Sequence, residues 1–238
     1  MTEAAELPPA PAEARAVFGE HFPEAVRYAE LLADAGVQRG LIGPREVPRL
    51  WERHLLNCAV LAEAVPEGVS VCDVGSGAGL PGIPLALVRR DLKITLLEPL
   101  LRRTTFLQEA VELLGLDHVT VTRGRAEEVL GKLPPVHVVT ARAVAPLDRL
   151  AAWGVPLLRP YGEMLALKGD TAEEELAAAK TALAKLGVVK TSVLHVGEGV
   201  VDPQTTVVRV ECGESPGGVR FAAKRAKAAR TGRARRRR

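Results

Sequence analysis

Between residues 69 and 88 a largely apolar run, 69–74, passes into a segment with four glycines in eight residues, Gly75, Gly77, Gly79 and Gly82, and then into a second apolar run from Ile83 to Val88. The order is strand, glycine loop, helix. Glycines let the backbone turn tightly and approach a ligand with no Cβ in the way, and the helix that follows offers free N–H groups in its first turn. A nucleoside cofactor suits such a loop, and the rest of the chain is read around it.

From residue 69 onward apolar strands alternate with helices. Strands are predicted near 69–74, 93–98, 118–122, 136–140 and 163–168, with helices near 83–90, 101–114, 125–131, 146–158 and 171–186. Strands joined by helices imply parallel crossover units and a doubly wound α/β sheet. Residues 188–196 and 205–212 then follow one another across a loop, 197–204, that is too short for a helical crossover. Without a crossover the last two strands run antiparallel, which puts one reversed strand in a mostly parallel sheet. Upstream, helices are predicted at 14–18, at 23–35 with Gly36 as the stop, and at 47–65, closed by Pro66 and Gly68. The expected organisation is a small helical N-terminal cap over 1–67, its first 12 residues disordered, a domain over 68–212, and a basic disordered tail over 213–238.

Charge sharpens that division. Residues 213–238 hold ten Lys/Arg and one acid, leaving 22 Lys/Arg and 28 Asp/Glu in residues 1–212, so an acidic body of about −6 carries a tail of about +9. Such a tail neutralises RNA phosphates without reading sequence. Residues 1–14 lack the basic and apolar regions of a secretory signal, and no run of about 18 apolar residues occurs, so a cytosolic protein without a membrane partner is expected. Cys58, Cys72 and Cys212 are far apart and lack CxxC spacing, and the five histidines are scattered, so neither a disulfide framework nor a metal site is expected.

Two ligands fit the loop. Gly77-Ala78-Gly79-Leu80-Pro81-Gly82 is a literal GxGxxG, which in a dinucleotide fold seats a pyrophosphate. Alternatively, Asp73 at the strand end precedes Gly75, Gly77 and Gly79, which pass under the methionyl part of S-adenosylmethionine. Glu98, ending the second strand, would grip a ribose diol in either case. The reversed strand favours S-adenosylmethionine, since a dinucleotide fold continues with parallel units. Ala126 and Glu127, just after the third strand, lie where adenine contacts are expected.

Trp51-Glu52-Arg53-His54-Leu55-Leu56-Asn57, the loop from Asp73 to Pro84 with its Leu80-Pro81-Gly82-Ile83-Pro84 extension, Arg142-Ala143-Val144-Ala145 and Ala166-Leu167-Lys168-Gly169 resemble the ribosomal RNA small-subunit methyltransferase G family, in its order and spacing over about residues 15–212. The resemblance implies a class I S-adenosylmethionine-dependent methyltransferase fold, Rossmann-like with seven strands. The activity it implies is methyl transfer to N7 of a guanine in the decoding-region hairpin of 16S rRNA, free or within the small subunit. It implies Asp73, Gly75, Gly77, Gly79, Leu80, Glu98, Ala126, Glu127 and Arg142 at the cofactor, and Arg142, Lys168 and Arg123 in the catalytic set, with Arg123 and Lys168 holding RNA backbone. These three cations at successive strand ends are expected to form one positive rim. Guanine N7 already carries a free lone pair, so no general base is required. His54 and Asn57 either fix the cap or approach the substrate. A small-molecule or protein methyltransferase shares the whole cofactor argument, and a nucleotide-binding oxidoreductase shares the glycine loop.

Overall fold

The computed structural model describes residues 6–142 and 145–218. Its centre is one sheet of order β3-β2-β1-β4-β5-β7-β6. The strands are β1 (Ser70–Val74), β2 (Lys93–Glu98), β3 (Val119–Arg123), β4 (Val136–Arg142), β5 (Leu158–Lys168), β6 (Val188–Val196) and β7 (Thr205–Cys212). All neighbours pair in parallel except β7, which runs antiparallel to both β5 and β6. The reversed strand is therefore the one the short 197–204 connection predicts.

Helices cover both faces, because the central strands are apolar on both sides. On one face α4 (Gly82–Val88) and α5 (Leu101–Leu113) pack with the N-terminal helices. Phe18, Tyr28, Leu50 and Leu61 share a single core with Val71, Ile83, Leu96 and Val207. On the other face α6 (Ala126–Val129), α7 (Leu147–Gly154) and α8 (Ala172–Lys185) cover Cys72, Val139, Leu158 and Val208. Among the described residues no helix is long and apolar enough to cross a membrane.

The N-terminal region departs from its expected outline. Residues 6–11 are tied down, not disordered: Leu7 and Ala10 pack on the core, and Pro8 O accepts a hydrogen bond from Trp51 Nε1 at 3.2 Å. Next come α1 (Ala12–Phe18) and α2 (Phe22–Leu31), the latter continuing as a π-helical turn, Leu32–Gly36. The helix runs past Gly36 and stops at Gly40, whose φ of +63° takes the left-handed conformation that glycine permits. The single helix expected at 47–65 is instead a 3₁₀ stretch, Pro44–Arg49, then a π-helical stretch, Leu50–Leu56, a short α3 (Asn57–Ala59) and a second 3₁₀ stretch, Val60–Ala64. Pro48 lies inside the first of these and lacks the N–H that an α-helix would use.

Two further boundaries shift. β5 begins at Leu158, so it occupies the end of the helix expected at 146–158, and α7 stops at Gly154. Residues 213–218, expected to belong to the tail, fold back on the end of α8: Gly213 N–H donates to Gly187 O at 3.0 Å and Gly217 N–H to Leu186 O at 2.8 Å. Because β7 is antiparallel to β5, this exit lies at the edge where the parallel strands begin. Residues 219–238, which carry all ten of the tail's basic side chains, and residues 1–5 lie outside the described residues.

Candidate active site

Strand register decides which side chains meet. Asp73 pairs with Leu96 and Thr140, Glu98 with Arg123, Arg142 with Leu167, and Lys168 with Thr206. The carboxyl ends of β1 to β5 thus finish along one edge, where ligands bind in open α/β sheets. A cavity of about 1350 Å³ opens there, and Gly75, Gly77, Leu80, Glu98, Ala126, Glu127, Arg142 and Lys168 all line it. Asp73, Gly79 and Arg123 do not.

Gly75 and Gly77 take φ values of +73° and +58°, which a side-chain-bearing residue adopts only with strain. Their turn is pinned to β2: Gly75 N–H donates to Leu97 O at 2.8 Å, and Gly77 N–H donates to Glu98 Oε2 at 3.1 Å. The other Glu98 oxygen accepts Leu100 N–H at 3.0 Å, and Arg103 Nη1 stands 3.6 Å from Oε2. A carboxylate has about four acceptor positions, so this fixed and almost fully buried anion retains capacity for hydroxyl donors. A bent glycine backbone, a fixed acceptor beside it and the first turn of α6 at Ala126 and Glu127 fit the sulfonium, ribose and base of an adenosyl group.

Asp73 and Gly79 support the loop from behind. Asp73 is fully buried; its Oδ2 accepts Gly82 N–H at 3.1 Å, and Oδ1 has no hydrogen-bond partner among the described residues. Burial pushes this carboxyl up to about 7, against the pull of the Gly82 N–H and of Arg142. Tyr28 Oη donates to Ala78 O at 2.7 Å, and a Cβ on Gly79 would come within 2.8 Å of that hydroxyl.

At the far end of the cavity the cations are already engaged. Lys168, nearly buried, donates from Nζ to Glu175 Oε2 at 2.7 Å and to Ala145 O at 2.9 Å. Glu175 Oε2 also accepts Leu147 N–H at 3.0 Å, and although burial opposes it, these donors hold the carboxyl below its ordinary value. Arg142 donates from Nη1 to Arg53 O at 3.0 Å and from Nη2 to His54 Nδ1. His54 in turn meets Glu46 Oε2 through Nε2 at 2.7 Å. Burial, then the Arg142 charge, depresses His54 to about 4, so it is neutral at pH 7. The expected single rim of Arg123, Arg142 and Lys168 is therefore not formed: Arg123 is exposed outside the cavity with Nε 3.5 Å from Pro99 O, and the other two are held by protein groups.

Glu46, Arg53, Arg103, Arg125 and Glu175 line the cavity without having been singled out in the sequence. An acid in the first turn of the helix after Lys168 was a usable signal for Glu175. Glu46 lies eight residues before His54 on the other side of Pro48, and no helical spacing connects them. His54 and Asn57 both line the cavity, and Thr205 Oγ1 donates to Asn57 O at 3.2 Å.

Comparison with known proteins places the chain in a family. The family model described as "GidB: rRNA small subunit methyltransferase G" matches residues 21–206. Proteins named ribosomal RNA small subunit methyltransferase G from Streptomyces avermitilis and Streptomyces coelicolor are 87% and 85% identical, each over 100% of both chains. In fold alone, an O-methyltransferase from Bacillus cereus solved in complex with SAH is similar, with a TM-score of 0.54 and 14% identity over 78% of this chain and 90% of that one. With the glycine loop, the fixed Glu98 and the reversed β7 all in place, the chain belongs to the rRNA small subunit methyltransferase G family.

Proposed function

We propose that this S-adenosylmethionine-dependent rRNA methyltransferase acts in the cytoplasm on N7 of a guanine in the decoding-region hairpin of 16S rRNA, free or within the small subunit. The observation that carries the reading is that the bases beside Arg142 and Lys168 are all engaged. His54 Nδ1 is occupied by Arg142, Glu46 by His54, and Glu175 by Lys168 and Leu147. Asp73, whose burial favours the proton-bearing form, lies behind the loop. An acceptor that must lose a proton before attack finds no free base beside Arg142 and Lys168, whereas guanine N7 presents a lone pair near neutral pH.

When bound, S-adenosylmethionine supplies a methyl group on a positively charged sulfur. The chain's own part is to hold and align. Gly75 and Gly77 give the cofactor a backbone surface without side chains, Glu98 accepts from ribose hydroxyls, and Ala126 and Glu127 border the base. Arg142 and Lys168, fixed by their partners, line the acceptor end. Alignment of this kind can supply about 7–11 kcal/mol of a barrier. Arg53 and Arg125 at the cavity and Arg123 beside it are the cations for RNA phosphates, and the ten basic residues of the tail add salt-dependent affinity.

The test is mass spectrometry of small-subunit rRNA from cells lacking the protein, before and after incubation with purified enzyme and S-adenosylmethionine. A single 7-methylguanine, missing before and restored after, is the expected result. Methylation of another atom, or of protein or small molecules in place of rRNA, rejects the reading.

A further inference from the structure

Arg142 owes its place to the N-terminal helical segment. One of its guanidinium nitrogens donates to the carbonyl of Arg53, 3.0 Å away, and the other to His54 Nδ1. A guanidinium has only donors and stays protonated, so Nδ1 must carry the lone pair. The ring proton then sits on Nε2, where Glu46 Oε2 receives it at 2.7 Å. The same oxygen lies 3.5 Å from Arg53 Nε, and the His54 hydrogen bond, with the Arg53 charge behind it, holds the Glu46 carboxyl below its ordinary value.

We propose that His54, locked by Glu46 in the Nε2–H form, is a positioning residue that sets the direction of the Arg142 guanidinium in the cavity wall. This rests on reading the cavity as the methyl-transfer site. His54 is only 7% exposed, so water does not substitute for either partner. The charged groups acting on the ring are Glu46 and Arg53 from its own helical stretch and Arg142 from β4. A protonated ring would turn a donor toward the guanidinium, and the contact would become repulsive. In an α-helix eight residues span about 12 Å of axis, too far for a 2.7 Å contact between Glu46 and His54. The chain here is not one continuous helix: between the 3₁₀ and π stretches Arg49 leaves helical backbone, with φ of −113° and ψ of 9°, and the contact spans that break, in keeping with the frequent occurrence of π-helical turns at functional sites. With two donors anchored in this way, Arg142 keeps others for a carboxylate or carbonyl oxygen of whatever binds.

Two substitutions separate the two faces of the ring. His54→Asn places an amide oxygen where Nδ1 was and keeps the acceptor for Arg142, while losing the reach to Glu46. His54→Gln reaches toward Glu46 and loses the Nδ1 acceptor. A hydrogen bond to a charged group is worth about ten- to a hundredfold. The expected result is that H54Q falls by that factor in kcat/KM on small-subunit rRNA and in affinity for S-adenosylhomocysteine, with H54N well above it and the two melting alike. H54Q equal to or better than H54N, or both equal to the unsubstituted protein, overturns the proposal. Nitrogen-15 NMR of the histidine rings in the ligand-free, unsubstituted protein gives a readout independent of activity and of mutant folding. It should show His54 bare at Nδ1 and protonated at Nε2 at neutral pH, and the reverse tautomer overturns the proposal. If the protein leaves rRNA unmethylated, the functional reading falls while the NMR result still decides the tautomer.

Discussion

Four glycines lie close together in the loop, but they do two different jobs. Gly75 and Gly77 supply left-handed backbone facing the cavity, while a Cβ on Gly82 would stand 2.3 Å from Leu96 Cδ2 and 2.8 Å from Asp73 Oδ2. Asp73 belongs with the second job, as a buried acid bracing the start of α4, and its environment makes a pH prediction. Its folded pKa of about 7 lies above the ordinary carboxyl value near 4, so between these limits the native state holds a proton that the unfolded chain has released. Stability from this group is fully present below about pH 4 and is lost as pH rises to about 7. His54 slopes the other way, its folded value of about 4 lying below the ordinary 6.5, so the two partly cancel in the unsubstituted protein. Asp73→Asn keeps an acceptor for Gly82 N–H and removes only the first slope. Denaturant unfolding of both proteins between about pH 5 and 7 should show the variant gaining relative stability as pH rises; parallel profiles would mean that Asp73 stays ionised when folded. Local sequence marks all these residues as ligand loop, because the neighbours that reveal the packing role, Tyr28 and Leu96, come from other elements.

Between elements, single side chains do the fastening. Glu175 at the start of α8 receives Lys168 from the end of β5 and the N–H of Leu147 from the start of α7, so one carboxylate joins three elements. From sequence alone, Lys168→Ala would abolish methylation and leave melting nearly unchanged. The contacts change the second half of that expectation. Removing the ammonium strands Ala145 O and leaves Glu175 with only Leu147 N–H and a long contact from Thr171 Oγ1 at 3.5 Å, a loss of about 1–3 kcal/mol. Calorimetric melting of K168A should therefore fall together with activity, and a melting temperature equal to the unsubstituted value would show that the pair adds nothing to the fold. Elements with a steady period were legible: β1, β2, α5 and β7 lie within a residue or so of their predicted bounds. The 44–64 stretch was not, because 3₁₀, π and α turns share one apolar face and differ only in which carbonyl each N–H finds.

For the molecule as a whole, the sheet order follows from rules about connections. Helical crossovers make β1 to β5 parallel, and the one helix-free connection reverses β7. What sequence composition could not reveal was where the fold ends, since 213–218 are held by backbone hydrogen bonds at glycines, with Pro216 as the one buried apolar side chain. Truncation after Gly218 should therefore spare the melting temperature. It should weaken rRNA binding, flatten the log–log salt dependence by about 0.7 per lost single-strand phosphate contact, and leave the methylated position unchanged. An unaltered salt slope would remove RNA from the tail's role. The turnaround at β7 also has a spatial result, for it sends the chain out on the rear of the sheet, away from the mouth of the cavity. Twenty residues anchored there could stretch at most about 70 Å. On the proposed reading, basic residues tethered at the stern would add hold on a large particle without crowding the nucleotide that enters at the bow.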